Sequence, residues 1–189
     1  MTDFPTHSLH TAPEAAKPNM ENAVRGYGFL PNLYAKMAES PAILEGYIAL
    51  AASFAKTHLT ETERQIILMT SNRLNGCQYC MAAHTTLSQL AGVDPEVIAA
   101  LRSNRPLADV KFEALRQFVI VMNETRGWPS EADIAALVAV GYGLQTVLDV
   151  ILGMALKMLS NYTNHVADTE LDAKFQDNVW TADFALAAE

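Results

Sequence analysis

The chain has 189 residues and a formal net charge of −8, and half of its residues are apolar although only 8% are aromatic. With that charge and no basic run, nucleic acid and anionic membrane surfaces are excluded as partners. Ala, Leu, Val, Ile and Met dominate, which favours helices over strands, and the length suits one core, so the composition predicts a single all-α domain over 1–189.

In chain order, residues 1–18 are polar and carry Pro5, Pro13 and Pro18, which predicts an irregular N-terminal arm with no secretion signal. A short helix over 19–27 is expected to stop at Gly26 and Gly28, and another to start at Phe29-Leu30-Pro31-Asn32. Ser40-Pro41 restarts the chain as a helix, serine as N-cap and proline at the first position, with Leu44, Tyr47, Ala51 and Phe54 on its apolar stripe. Thr60 and Glu63 have the spacing of a capping box, and the helix they open runs to Leu74, directly before both cysteines. Helices then follow over 77–90, 97–101, 108–124 and 134–140, the last opened by Ser130 and Asp133. The final strong helix, 144–164, is apolar on most sides, from Leu144 through Ile151 and Leu152 to Leu159. That pattern predicts a helix largely buried, in the domain or in a subunit contact. Gln145, Asp149 and the glycines before it argue against a membrane span. The C-terminal tail, 166–189, with Trp180 and Phe184, is weakly patterned and is expected to wrap over a neighbour. A reducing cytoplasm is the expected location, since both cysteines sit in one C-x-x-C.

The chemistry concentrates in Asn75-Gly76-Cys77-Gln78-Tyr79-Cys80-Met81-Ala82-Ala83-His84. On a helix at about 100° per residue, Cys80 and His84 lie nearly in line and Cys77 within about 60° of them. Asn75-Gly76 breaks the chain, placing Cys77 in the first turn of a new helix, where unpaired N–H groups and the dipole favour a thiolate. A nearby imidazole can take a thiol proton or, once charged, stabilise the thiolate. Reversible dithiol–disulfide chemistry uses this residue set. The spacing alone also admits two other readings: a zinc site, which would need His84 and one more ligand, and two inert cysteines.

Taken with Phe29-Leu30-Pro31-Asn32, Leu59-Thr60, Glu63-Arg64-Gln65, Asn161-Tyr162-x-Asn164-His165 and Thr169-x-Leu171-Asp172, the C-x-x-C-x-x-x-H stretch resembles the carboxymuconolactone decarboxylase / alkylhydroperoxidase D-like superfamily, in its peroxidase-related branch. The resemblance spans roughly residues 27 to 180. It implies an all-helical fold assembling as homotrimers or homohexamers, with no cofactor or metal. It implies a peroxidase in which Cys80 attacks a small hydroperoxide, Cys77 resolves, and His84 lies in the proton path. Electrons would come from an external dithiol or go to a peroxiredoxin-type partner. The decarboxylase branch lacks the dithiol, so Cys77 and Cys80 argue against lactone decarboxylation. The family relay also carries a glutamate twelve residues before the first cysteine, where this chain has Gln65. A glutamine can orient water but cannot accept and return a proton at neutral pH. Glu61 and Glu63 read as capping, solvent-exposed residues. The alternatives are a non-enzymatic redox-sensing or ligand-binding helical protein, and a lyase of the decarboxylase type.

Overall fold

A computed structural model describes residues 3–181. Nine α-helices form among the described residues, and no strand: α1 Lys17–Tyr27, α2 Asn32–Met37, α3 Pro41–Phe54, α4 Glu61–Leu74, α5 Gln78–Leu90, α6 Pro95–Ser103, α7 Val110–Glu124, α8 Glu131–Ala139 and α9 Leu144–Val166. The all-α expectation holds. α4 is the axis of the bundle and packs against α5, α6, α7 and α9. On one side Ile66, Ile67 and Met69 of α4 meet Leu115 and Val119 of α7 and Val150 and Leu156 of α9. On the other, α1, α2 and α3 enclose a second cluster that contains both cysteines, with Met20, Leu33, Met37 and Leu44.

Both expected capping boxes form, at Thr60–Glu63 and Ser130–Asp133. Ser40 takes the N-cap place of α3, but its side chain makes no capping hydrogen bond. α1 begins at Lys17, after a 3-10 turn over Glu14–Ala16, so the arm becomes regular earlier than its prolines imply. Its first residues are pinned to α2: the His7 N–H donates to the Ala35 carbonyl, and the Lys36 ammonium donates to the Phe4 carbonyl. Gly28 ends α1 with φ of 77°, while Gly26 lies inside the helix.

As far as residue 181 the tail lies on its own chain. After a 3-10 stretch, Ala173–Asn178, Trp180 folds onto its own chain, donating to the Arg102 carbonyl at 3.0 Å with the Arg73 guanidinium over its ring. Phe184 lies outside the described residues. Within the single chain α9 is buried on one side only. Leu144, Leu148, Ile151, Met158, Tyr162 and Val166 are exposed, Leu148 to 67%, while the buried face carries Thr146, Gly153, Lys157, Ser160, Asn161 and Asn164. Apolar character was read as inward-facing, whereas here the polar side turns in. Close approach makes that side possible. A Cβ at Gly153 would lie 2.7 Å from Ile67 Cγ2 and 2.9 Å from the Phe54 ring.

No single helix among the described residues is long and apolar enough to cross a membrane; α8 and α9 satisfy length and composition only as a pair bent by 109°.

Candidate active site

The site begins where α4 stops. Asn75 is the C-cap, and Gly76 follows with φ of 68°, a left-handed conformation that strains any residue with a Cβ. The Gly76 N–H donates to the Arg73 carbonyl and the Cys77 N–H to the Asn72 carbonyl, both at 2.9 Å. Together they form a Schellman motif that closes one helix and aims the chain into the next. Cys77 is therefore the N-cap of α5, with φ −79° and ψ 99°, and not a residue of its first turn as expected. Cys80 lies one turn in.

Both sulfurs are buried and free, and both face the inner side of α9. The Asn164 amide donates to Cys80 Sγ at 3.2 Å and reaches Cys77 Sγ at 3.7 Å. Asn161 is locked in place by accepting from Asn75 at 2.8 Å and donating to Asn72 at 3.0 Å, and Asn72 in turn donates to the Cys80 carbonyl. The two thiols are driven apart in acidity. Cys77 is pushed up by the hydrogen bond it gives to Cys80, by burial and by the charge on Cys80. For Cys80, burial pushes upward, but the Cys77 thiol, the Lys157 charge, Ser160 and Asn161 outweigh it and hold it well below the usual thiol range. Sequence reasoning from the helix N-terminus favoured Cys77 as the more acidic thiol. The neighbours supplied by α9 reverse that order.

His84 is joined to Gln65, the position that the family resemblance implies for the relay, but it is not bonded to either sulfur. Its Nε2 accepts from the Lys157 ammonium at 2.8 Å, which fixes the hydrogen on Nδ1, and Nδ1 donates to Gln65 Oε1 at 2.9 Å. Gln65 Nε2 then donates to Glu61 Oε1 at 2.7 Å. Burial, and next the Lys157 charge, keep His84 well below the ordinary histidine value, so it is a neutral acceptor. The result is an oriented chain from a buried cation through imidazole and amide to a carboxylate. Glu61 is therefore part of the site's hydrogen bonding as well as pairing with Arg64. Glu63 is not exposed either: it closes its capping box and accepts from the buried Tyr142 hydroxyl at 2.9 Å.

A cavity of about 40 Å³ opens on Cys80, His84 and Lys157, walled by Tyr34, Tyr47, Tyr79 and Phe175. Water occupies about 30 Å³ per molecule in the liquid, so this is room for one small polar group. The wall is closed from the C-terminal segment. Asp172 accepts from the Tyr79 hydroxyl and from the Asn32 N–H at the start of α2. A larger apolar cavity of about 470 Å³, lined by Met37, Ile43, Met158, Leu159 and Tyr162, lies away from the sulfurs and holds no chemistry of this kind.

Sequence reasoning placed Cys77, Cys80, His84 and Gln65 together and missed Lys157, only 1% exposed. A signal existed: Val150, Gly153, Lys157, Ser160, Asn161 and Asn164 fall on one helical stripe, a lysine among small and polar residues within an otherwise apolar helix.

Residues 41–124, α3 through α7, match the carboxymuconolactone decarboxylase family. They carry Gln65, Cys77, Cys80 and His84 but end before α9. Among solved structures, the alkylhydroperoxidase AhpD core of an uncharacterised peroxidase-related protein from Ralstonia eutropha is similar, with a TM-score of 0.82 at 21% identity over 91% of this chain and 93% of that one. An uncharacterised peroxidase-related protein from a Silicibacter species gives 0.78 at 20% identity, covering 92% of each chain. A cysteine-to-alanine variant of the debrominase Bmp8, in complex with 2,3,4-tribromopyrrole, gives 0.77 at 18% identity, covering 94% of this chain and 96% of that one. No curated protein matches the chain.

Proposed function

We propose that this chain, whose residues 41–124 match the carboxymuconolactone decarboxylase family and whose fold is similar to that of a peroxidase-related protein, is a thiol-dependent oxidoreductase that reduces small hydroperoxides. The observation that carries this reading is a pair of free, buried cysteines that share the Asn164 amide, at 3.2 Å from Cys80 Sγ and 3.7 Å from Cys77 Sγ, with surroundings that lower the pKa of Cys80 and raise that of Cys77. The thiolate attacks the outer peroxide oxygen, breaking the O–O bond and, with one proton, leaving an alcohol and a sulfenic acid. Cys77 then displaces that hydroxyl as water, closing a disulfide, and an external dithiol or a peroxiredoxin-type partner restores both thiols.

The cavity of about 40 Å³ beside Cys80 has room for the –OOH end of a hydroperoxide. An ammonium beside the sulfurs also makes the place unfavourable for zinc, whose own charge it would oppose. The chain further assembles with copies of itself through the outer face of α9, whose exposed apolar residues Leu144, Leu148, Ile151 and Met158 follow steps of four, three and seven, the spacing of a helix seam.

A peroxidase assay with a dithiol reductant tests the reading. Cys80→Ser is expected to lose turnover to background, while Cys77→Ser oxidises once, to a sulfenic acid, and stops. Undiminished turnover in Cys80→Ser would remove the dithiol from the mechanism.

A further inference from the structure

We propose that Lys157 is the proton donor of the dithiol site: its ammonium gives up a proton as Cys80 loses its negative charge, so that cation and thiolate vanish together on oxidation. The inference rests on the thiol oxidoreductase reading. It begins from a buried charge with no carboxylate to balance it. Lys157 is 1% exposed, its hydrogen bond goes to a neutral imidazole, and no carboxylate among the described residues pairs with it. Its counter-charge is the Cys80 sulfur, whose thiolate it stabilises. A disulfide carries no charge. If Lys157 kept its proton in the oxidised protein, it would be a buried cation without an anion, an arrangement folded proteins avoid.

The chemistry asks for the proton at the same moment. O–O cleavage releases an alkoxide, a strong base that needs an acid at the cavity wall. The groups facing Lys157 do not supply one. His84 on α5 points its lone pair at the ammonium and its own N–H at Gln65. Gln65 on α4 is an amide, and Glu61 behind it is held ionised, since hydrogen bonds from Gln65 and Arg64 overcome its burial. Tyr34 on α2, Tyr47 on α3 and Tyr79 on α5 are pushed far above neutrality, first of all by burial, and Tyr27 on α1 donates or accepts only with Tyr34. Asp172 accepts from Tyr79 on its far side. That leaves Lys157, which lines the cavity beside Cys80. The step balances: Cys80–S⁻, ROOH and Lys157–NH₃⁺ give Cys80–SOH, ROH and Lys157–NH₂. Cys77–SH and Cys80–SOH then give the disulfide and water. A dithiol returns two hydrogens on reduction, one to Cys77 and one to Lys157, regenerating the ion pair. In this scheme Lys157 does the work for which the family glutamate is absent at Gln65.

The half-reaction for reducing the Cys77–Cys80 pair, obtained from glutathione redox buffers between about pH 6.5 and pH 8.5 after subtracting the two protons that glutathione itself takes up per two electrons, reads the proton, alongside the ultraviolet absorbance of the thiolate. The expected result is a thiolate present across the range together with a hundredfold change in the equilibrium constant per pH unit, about 59 mV, which means two protons per two electrons. A thiolate with only a tenfold change, about 30 mV, means Lys157 keeps its proton, and overturns the proposal. Lys157→Arg retains a charge that cannot be released; it should keep the thiolate and fall to the tenfold slope. A hundredfold slope in that variant, with its thiolate intact, assigns the proton to another group and overturns the proposal. Lys157→Met should lose the thiolate at neutral pH. If mass spectrometry finds no loss of two hydrogens on oxidation, no disulfide forms, and the oxidoreductase reading falls together with this one; a disulfide with the tenfold slope removes this one alone.

Discussion

The two faces of α9 run the same 23 residues in opposite senses. The inner face, against α4 and α5, presents Thr146, Lys157, Ser160, Asn161 and Asn164 to a dry interior, while the outer face offers Leu144, Leu148, Ile151, Met158 and Tyr162 to the surroundings. A helix serving only stability would be turned the other way. The inner polar groups make no helix more stable by being buried; each is retained because it hydrogen-bonds another, or because it holds charge on a sulfur. The outer apolar groups lower no free energy in a lone chain. Polarity inside marks the candidate site, and apolarity outside is what the proposed self-association would cover.

The comparison breaks first, and by the largest amount, at Lys157. Removing the cation in Lys157→Met should return Cys80 to an ordinary or raised thiol, cutting its thiolate population at pH 7 by roughly 30-fold or more. Alkylation followed by peptide mapping against pH measures this, and an unchanged profile would mean the inner face does not set the acidity. The sign carries over to stability. Cys80 is depressed in the folded state, so its contribution is complete above the unfolded thiol value, about 8.5, and is lost as pH falls through the lower folded value. Reduced wild type should gain stability as pH rises through that window, and Lys157→Met should not.

On the outer face, Leu148→Glu with Ile151→Glu should convert an oligomer to a folded monomer, because both positions are exposed in the single chain. Light scattering at micromolar concentration decides it, and a monomeric wild type would remove the contact altogether. The smallest effect is expected at the inner close approach. Gly153→Ala gains helix propensity of about 1 kcal/mol, but its methyl collides with Ile67 and Phe54. A net loss of about 1–3 kcal/mol in chemical denaturation is expected; a gain would show that α9 can shift outward without cost.

The sequence made one part of this site legible for a local reason. Gln65, Cys77, Cys80 and His84 lie on two consecutive helices joined at a glycine, so helical spacing and one turn almost determine their meeting. The position of Cys77 was off by a single place, because a Schellman closure uses the N–H that a first-turn residue would have left free. Lys157 and Asn164 were not legible in that way, since a helix more than seventy positions later brings them in. Which stripe of α9 turns toward α4 and α5 was not legible either, because its period is the same whichever one does. The sequence reads Glu61 as a cap; only its contact with Gln65 shows that it ends a chain leading through His84 to Lys157.

The distance in sequence between cysteines and lysine also governs when the protein becomes reactive. During synthesis Cys80 leaves the ribosome long before Lys157, which follows His84 by 73 positions, and Asn164, which follows Cys80 by 84. At about 5–20 residues per second, several seconds separate them. Through that interval Cys80 is an ordinary thiol, mostly protonated and slow toward oxidants. Its acidity is conferred by completing the chain rather than by possessing the motif. A nascent or unfolded copy is therefore a slower target for oxidants than the folded protein. The last long helix to be made is the one that arms the first pair of residues to be read.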